Sequence, residues 1–528
     1  MIAAAGPALA AKLPSAGTIA LALAVAAVVL AVLTALMRRR ADAFPLLVAL
    51  TLPFRVPIAT DGRTVNLLVP LYLVIAAGAL AHLLPSWLAR ARAAAGGAAW
   101  GRGAAGASAA AQAAPADSRG STAGERRPRL RAPSSWLTPR GLEWLLAAAV
   151  ALYAAQIGYS ADRLKALENV AFFYVPFGLL FLTLAQVRWR RALLARCLGV
   201  TVALAVAFAG VGFVEYARKS LLLNPKVVAA DQYSNYFRVN SVFFDPSIYG
   251  RFLALVMIAL MSVVLTAGSG PVAESRRTAG RGQAAGRGQA AGRGQAAGRG
   301  RGARRTMLAG GAALAWLLAG MVTSFSQSSI AALLLGLAVL AAWCWGWRPT
   351  LYAACALLAA ALAFVLVAPA GLHFGLKGRR GSASNATSGR ATLVGGGLEL
   401  FAERPLEGYG SGSFETEYKR HSSTDAENAA SASHTIPVTV AAEQGVIGLA
   451  LYAALLVSAF AVLFRDAARS PPRIAVAACF AALVLHTWTY ADFLEDPFTW
   501  TLLALGVALA RLEARRPARG GVLARSRA

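Results

Sequence analysis

The chain has 528 residues, 57% of them hydrophobic and 14% charged, with a mean hydropathy of +0.56. That composition excludes a soluble domain and indicates a polytopic membrane protein. The formal charge of +28 is carried by arginines gathered between apolar runs, so membrane orientation accounts for it first and no nucleic-acid partner is expected.

Crossing the hydrocarbon takes about 20 apolar residues. Runs of roughly that length lie at 18–37, 43–58, 65–84, 142–158, 166–185, 193–214, 248–267, 307–324, 329–346, 350–369, 437–464, 474–490 and 498–511. The second and fourth are short. The expected fold class is an all-α integral membrane protein of about 12 to 13 transmembrane helices with a large extracytoplasmic loop. The first run ends in Arg38-Arg39-Arg40, the reverse of a signal peptide's charge order, and reads as a retained span.

Lys and Arg counted on alternate sides differ about twofold, which places the C-terminus in the cytoplasm. The expected organisation is an N-terminal set of transmembrane helices over 1–85 and a disordered basic cytoplasmic linker over 86–140. Helices over 141–267 follow, with an outer loop at 215–247, then a disordered Arg/Gly-rich cytoplasmic linker at 268–306 and helices over 307–369. An extracytoplasmic catalytic loop at 370–436, helices over 437–511 and a basic cytoplasmic tail at 512–528 complete the chain. The linkers have too few apolar residues to offset chain entropy. The second repeats Arg-Gly-Gln-Ala-Ala-Gly from Arg281, a low-complexity tract that reinforces orientation. Cys197, Cys344, Cys355 and Cys479 fall inside apolar runs without metal-like spacing and read as small buried hydrophobes.

Three outer segments carry chemistry. In the first loop Arg238 precedes Asp245-Pro246 at the mouth of the next span, where the proline favours an extended approach to a helix start. The second loop holds Ser388-Gly-Arg390, an amphipathic stretch from Ala391 to Ala402, and a turn from Arg404-Pro405 to Phe414 in which proline ends a helix and glycines bend the chain. From His434 through Glu443 to Gly448, an ionisable cluster stands where an apolar helix begins, a poor structural choice and a good site for chemistry at a membrane face.

Together these segments resemble the O-antigen ligase and polymerase superfamily over about residues 140–510, with specific motifs only in the two outer loops. The resemblance implies a GT-C-like helical glycosyltransferase that takes a glycan from a polyprenyl diphosphate at the outer face of the cytoplasmic membrane. The acceptor would be a glycan, lipid or protein, and a flippase or chain-length regulator would be a further partner. It also implies that Arg238 and Arg390 bind the donor diphosphate, and that His434 is the required loop histidine, as proton acceptor or as a bridge between acceptor and diphosphate. The catalytic set expected is therefore His434, Arg390 and Arg238, with Asp245, Glu443 and Arg404 joining both arginines in substrate binding. Glu443 would orient His434 or cap the helix. No metal and no cofactor are expected.

Arginine suits a diphosphate leaving group because its planar, paired donors stay protonated while charge develops. The chain departs from the family pattern at Thr435, where asparagine is common, and at Pro437, where an aromatic is usual. Thr323 to Ser329 stands where relatives carry Ser-Arg, with Lys377, Arg379 and Arg380 as substitutes. His82, His373, His421 and His486 read as interface or loop residues, and Asp492, Glu495 and Asp496 as a solvated loop or sugar-hydroxyl ligands. The alternative reading is a lipid-linked sugar or polysaccharide transporter, which would place essential charges mid-membrane.

Overall fold

The computed structural model describes residues 16–60, 63–92, 136–222, 237–268, 289–367, 390–421 and 435–514. Long helices dominate: α1 (Ala16–Arg39), α2 (Ala43–Thr51), α3 (Val69–Arg92), α4 (Pro139–Gln156), α5 (Arg163–Leu184), α6 (Arg191–Arg218) and α7 (Pro246–Gly268). They continue with α8 (Gln289–Thr323), α9 (Gln327–Trp345), α10 (Trp347–Val367), α11 (Arg390–Glu403), α12 (Phe414–His421), α13 (Ile436–Phe464), α14 (Pro471–Thr489) and α15 (Pro497–Ala514). Among the described residues, 9 helices are long and apolar enough to cross a membrane. The protein is an all-α integral membrane protein. α8 begins at Gln289, inside the stretch expected to be linker, while 93–135, 269–288 and 515–528 lie outside the described residues.

Proline sets several helix starts, at Pro139, Pro246, Pro471 and Pro497, where a missing N–H costs nothing and the fixed φ already suits the first turn. The second apolar run behaves differently from expectation. Pro53 and Pro57 cannot continue a helix, so α2 stops after 9 residues and the chain enters an antiparallel hairpin, β1 (Val56–Thr60) with β2 (Arg63–Leu67), Val56 opposite Leu67. The segment still joins the two ends of the bundle. Asp42, before α2, pairs with Arg190 at one end, and Arg55, after it, faces Asp492 and Asp496 at the other.

Two large apolar clusters form most of the core, and a small third one, Leu400, Tyr409, Phe414 and Ala442, joins α11, α12 and α13. One gathers Phe44, Leu71, Phe177, Leu455, Phe480 and Trp500. The other gathers Phe208, Phe252, Ile258, Leu333, Ala478 and Leu483 around α7. Helix α14 supplies both and is the bundle's central post, with 78% of its apolar window buried against 6% for α1. Side chains such as Leu21, Trp144 and Tyr352 are exposed because hydrocarbon, not protein, covers them. The same reasoning corrects the cysteines. Cys479 is buried and Cys197 half-buried, but Cys344 and Cys355 are exposed, since an apolar run in a membrane has outward as well as inward faces.

Candidate functional site

Arg238 lies just before α7, in the described stretch 237–245, clamped from both sides. Glu215, fully buried near the end of α6, accepts from Leu222 N at 3.0 Å and from Ser241 N at 2.8 Å. That pull holds Ser241 at φ +52, a left-handed conformation unusual for serine, while its hydroxyl donates to the Phe208 carbonyl. On the other side Val239 N donates to Thr323 O and Arg238 Nε to Ser324 O, both in the turn between α8 and α9. A guanidinium fixed through Nε has its plane set before a ligand arrives. Asp245 follows; its Oδ1 accepts from Ser247 N at 2.6 Å at the start of α7, and it also bonds the Tyr490 hydroxyl.

The turn under Arg238 is a ladder of serines closed by a histidine. Ser326 Oγ meets Ser329 Oγ at 2.8 Å and Ser328 Oγ at 3.2 Å, and the Ser328 and Ser329 hydroxyls each lie 3.3 Å from His486 Nε2. Ser329 Oγ also donates to Ser247 O, tying the ladder to the start of α7. His486 is thus neither an interface nor a loop residue. It is fully buried on α14, where hydroxyl partners make a polar ring tolerable inside an apolar run.

The glycine turn after α11 is locked onto α13. That helix is broken at Gly445, with φ +62 and ψ −161, and the freed groups pair with the turn: Val446 N to Pro405 O, Tyr409 N to Ala442 O and Gly410 N to Glu443 O. A Cβ at Gly445 would collide with the Leu406 carbonyl, and one at Gly410, φ +92, with the Ser160 backbone between α4 and α5. Glycine is required at both positions. Glu443 caps a helix, but α12 rather than its own: Oε1 accepts from Phe414 N at 3.1 Å. Arg404 is exposed and stacks on Tyr409 at 4.5 Å, and Tyr409 donates to Glu403, which also pairs with His421 at 3.0 Å.

The loop from Tyr490 to Asp496 is a buried charge cluster, which corrects the solvated alternative. Asp496 is 1% exposed and pairs with Arg251, 2% exposed, at 2.8 Å, a Coulombic contact without good hydrogen-bond alignment. Burial lifts the Asp496 carboxyl above its usual range although Arg251 opposes the shift. Glu495 meets the Tyr174 hydroxyl at 3.4 Å, and burial and then the Asp492 charge push its pKa up to about 7. Burial lowers the Arg55 pKa, opposed by Asp492 and Asp496, and Arg55 stacks on Phe244 at 4.8 Å.

The structure therefore brings Arg238, Asp245, Glu443 and Arg404 to one end of the bundle. Arg390 opens α11, and nothing of its side chain is described. His434, His373, Lys377, Arg379 and Arg380 lie outside the described residues. Sequence reasoning missed Glu215, Arg251 and the seating role of His486. A charge inside or at the edge of a span was the available signal, because it demands a partner. A groove of about 580 Å³ between α1 and α3, lined by Ala27, Leu30, Thr34 and Arg38 among others, holds none of these residues.

No curated protein matches the chain. Residues 312–453 match the family model described as O-antigen ligase, a stretch that includes the serine turn, Arg390, the glycine turn and the broken helix. The family implies a membrane setting, a lipid-linked glycan donor and a ligase or glycosyltransferase-like activity in polysaccharide biosynthesis. An O-antigen ligase domain at 312–453, set in a helical membrane fold, supports the O-antigen ligase and polymerase superfamily for this chain.

Proposed function

We propose that this protein is a metal-independent, GT-C-type glycosyltransferase of the cytoplasmic membrane that ligates or polymerises polyprenyl-diphosphate-linked glycan at the outer face. In this reading the basic linkers and C-terminus are cytoplasmic. The observation that carries it is the seating of Arg238: a loop outside the matched domain is bonded at Thr323 and Ser324 to a turn inside it. A second basic group for the same ligand, Arg390, begins the helix leading to the glycine turn.

The chemistry follows. Arg238 and Arg390 grip the diphosphate, and His434 orients the acceptor hydroxyl or takes its proton. The acceptor oxygen bonds to the anomeric carbon as the bond from that carbon to the diphosphate oxygen breaks, and the electron pair leaves with polyprenyl diphosphate. A single displacement inverts the anomeric centre. Preorganised donors of this kind are worth about 3 to 4 kcal/mol each in the transition state. Acceptors and partners such as a flippase or chain-length regulator belong to the same proposal.

The test is glycan transfer by purified protein in lipid, using polyprenyl-diphosphate oligosaccharide, with Arg390→Lys, Arg390→Ala and His434→Ala compared in monodisperse, inserted form. Transfer by wild type with a loss of about 100-fold or more in the variants is expected. Full activity of Arg390→Lys would sink the diphosphate clamp. Labelled lipid-linked sugar crossing the bilayer without any transfer would favour a transporter instead.

A further inference from the structure

Near the Arg238 segment and the glycine turn, Arg55, Tyr72, Tyr153, Asp492 and Glu495 are all only partly exposed, while Tyr174, Glu443, Gln444 and Asp496 are buried. They form one neighbourhood. Tyr153 and Tyr174 pack ring to ring at 4.2 Å, Tyr174 reaches Glu495, and Tyr153 lies beside the Gln444 side chain. Arg55 feels Asp492, Asp496 and Tyr72, and its stack on Phe244 joins this wall to Asp245 beside it. The wall is thus continuous with the Arg238 segment.

Gln444 gives the wall a second meaning. It is 3% exposed, its amide folds back over Gly448, where any Cβ would strike it, and its Nε2 donor has no partner. A buried amide donor without a partner is costly unless a ligand completes it. The charges say which ligand. Arg251 is committed to Asp496, Arg55 feels Asp492 and Asp496, and Lys165 nearby pairs with Glu168 at 3.5 Å, so each of these basic groups already meets carboxyls. Among the described residues of this wall, every cation has a carboxylate neighbour. Carboxylates, a tyrosine pair and an amide instead match a surface dense in hydroxyls.

We propose that this recess, walled by Arg55, Tyr72, Tyr153, Asp492 and Glu495 and floored by Gln444, is a saccharide subsite that accepts uncharged, hydroxyl-rich sugar and rejects acidic sugar. That the saccharide belongs to a lipid-linked glycan rests on the function proposed above. Tyr153 and Gln444 donate and accept at the ring hydroxyls, Glu495 accepts, and a uronate or phosphorylated sugar meets like charge on Asp492 and on Glu495 in its ionised form. A hydrogen-bonding site of this kind discriminates strongly, because the wrong partner leaves buried polar groups unmatched.

The experiment is saturation-transfer NMR on the full-length protein in nanodiscs, with a neutral trisaccharide and its counterpart in which one residue is a uronic acid. The neutral sugar binds at least about tenfold more tightly in the wild type. Gln444→Ala and Tyr153→Phe weaken neutral binding about tenfold, and Asp492→Asn with Glu495→Gln narrows the discrimination within the folded fraction. Equal or tighter uronate binding, absence of saccharide binding, or wild-type binding in Gln444→Ala would each overturn the subsite. Transfer is scored separately. Selective binding without transfer would overturn the function proposed above and leave the subsite standing, whereas transfer without selective binding would do the reverse.

Discussion

At the end of the bundle that carries Arg238, charges are buried in pairs and the backbone is bent to hold them. At the opposite end, Asp42 meets Arg190 and Arg196 in the open, with the Arg190 side chain 70% exposed. The first end holds left-handed Ser241, Phe325 and Asp492, and the glycine turn beside a broken helix. Near the second, Asp466 and Gly346 are left-handed, each at the end of a helix where the chain turns. Strain and buried charge persist only where surrounding contacts over-determine them, and here they gather around the Arg238 segment, the Tyr490–Asp496 loop and the glycine turn. The opposite end has a buried basic group of its own, Arg473, paired with Glu513 at 2.6 Å, but its Asp42 pairs stand where solvent screens them.

Breaking the buried pair gives the largest expected effect. Asp496→Ala leaves the Arg251 guanidinium buried without its carboxylate and should cost about 3 to 5 kcal/mol. Thermal unfolding in detergent should show a large loss, and a near-wild-type melting temperature would mean that water reaches Arg251. Next comes Gly410→Ala, which adds a Cβ against the Ser160 backbone at positive φ. The turn must shift, and displacement of a positioning element by about 1 Å commonly costs about 100-fold in rate. Glycan transfer should fall by that order while insertion is retained.

A smaller effect concerns pH. Burial and the Asp492 charge push the Glu495 carboxyl up to about 7 from its ordinary 4.5, so between those values the folded protein binds more protons than the unfolded chain. Stability should then fall as pH rises from about 4.5 to about 7. Glu495→Gln should flatten that slope in melting temperature, leaving the part that Asp496 contributes in the same direction. The smallest effect is at the other end: Asp42→Asn removes exposed ion pairs worth about 1 kcal/mol or less. A larger loss there would erase the contrast between the two ends.

Much of the fold was legible because hydrocarbon imposes one simple demand, an apolar run of sufficient length. The exception, 43–58, shows the limit: its hydropathy fits a span, but Pro53 and Pro57 decide the backbone, and α2 ends at Thr51. The segments bearing Arg238, Asp245 and Glu443 could be read from their motif order. What could not be read were partnerships made across the chain. Arg251 and Asp496, Glu215 and Ser241, and His486 and Ser329 have no local signature, since each member looks like an isolated polar residue until the helices pack. Glu443 shows a subtler case, a recognised residue whose described partner, Phe414, belongs to the preceding loop.

The lock between the glycine turn and the break at Gly445 also orders events during synthesis. Ser411 and Gly410 meet Ser160, about 250 residues earlier, and the same turn is pinned by backbone groups of 442–446 that leave the ribosome later still. Chains emerge N-terminus first, so every helix up to α10 can enter the bilayer before the turn has anything to close upon. A nascent chain that stalls before α13 therefore has no partner for its glycine turn, and the site that turn helps to build cannot assemble until residues 442–446 are made.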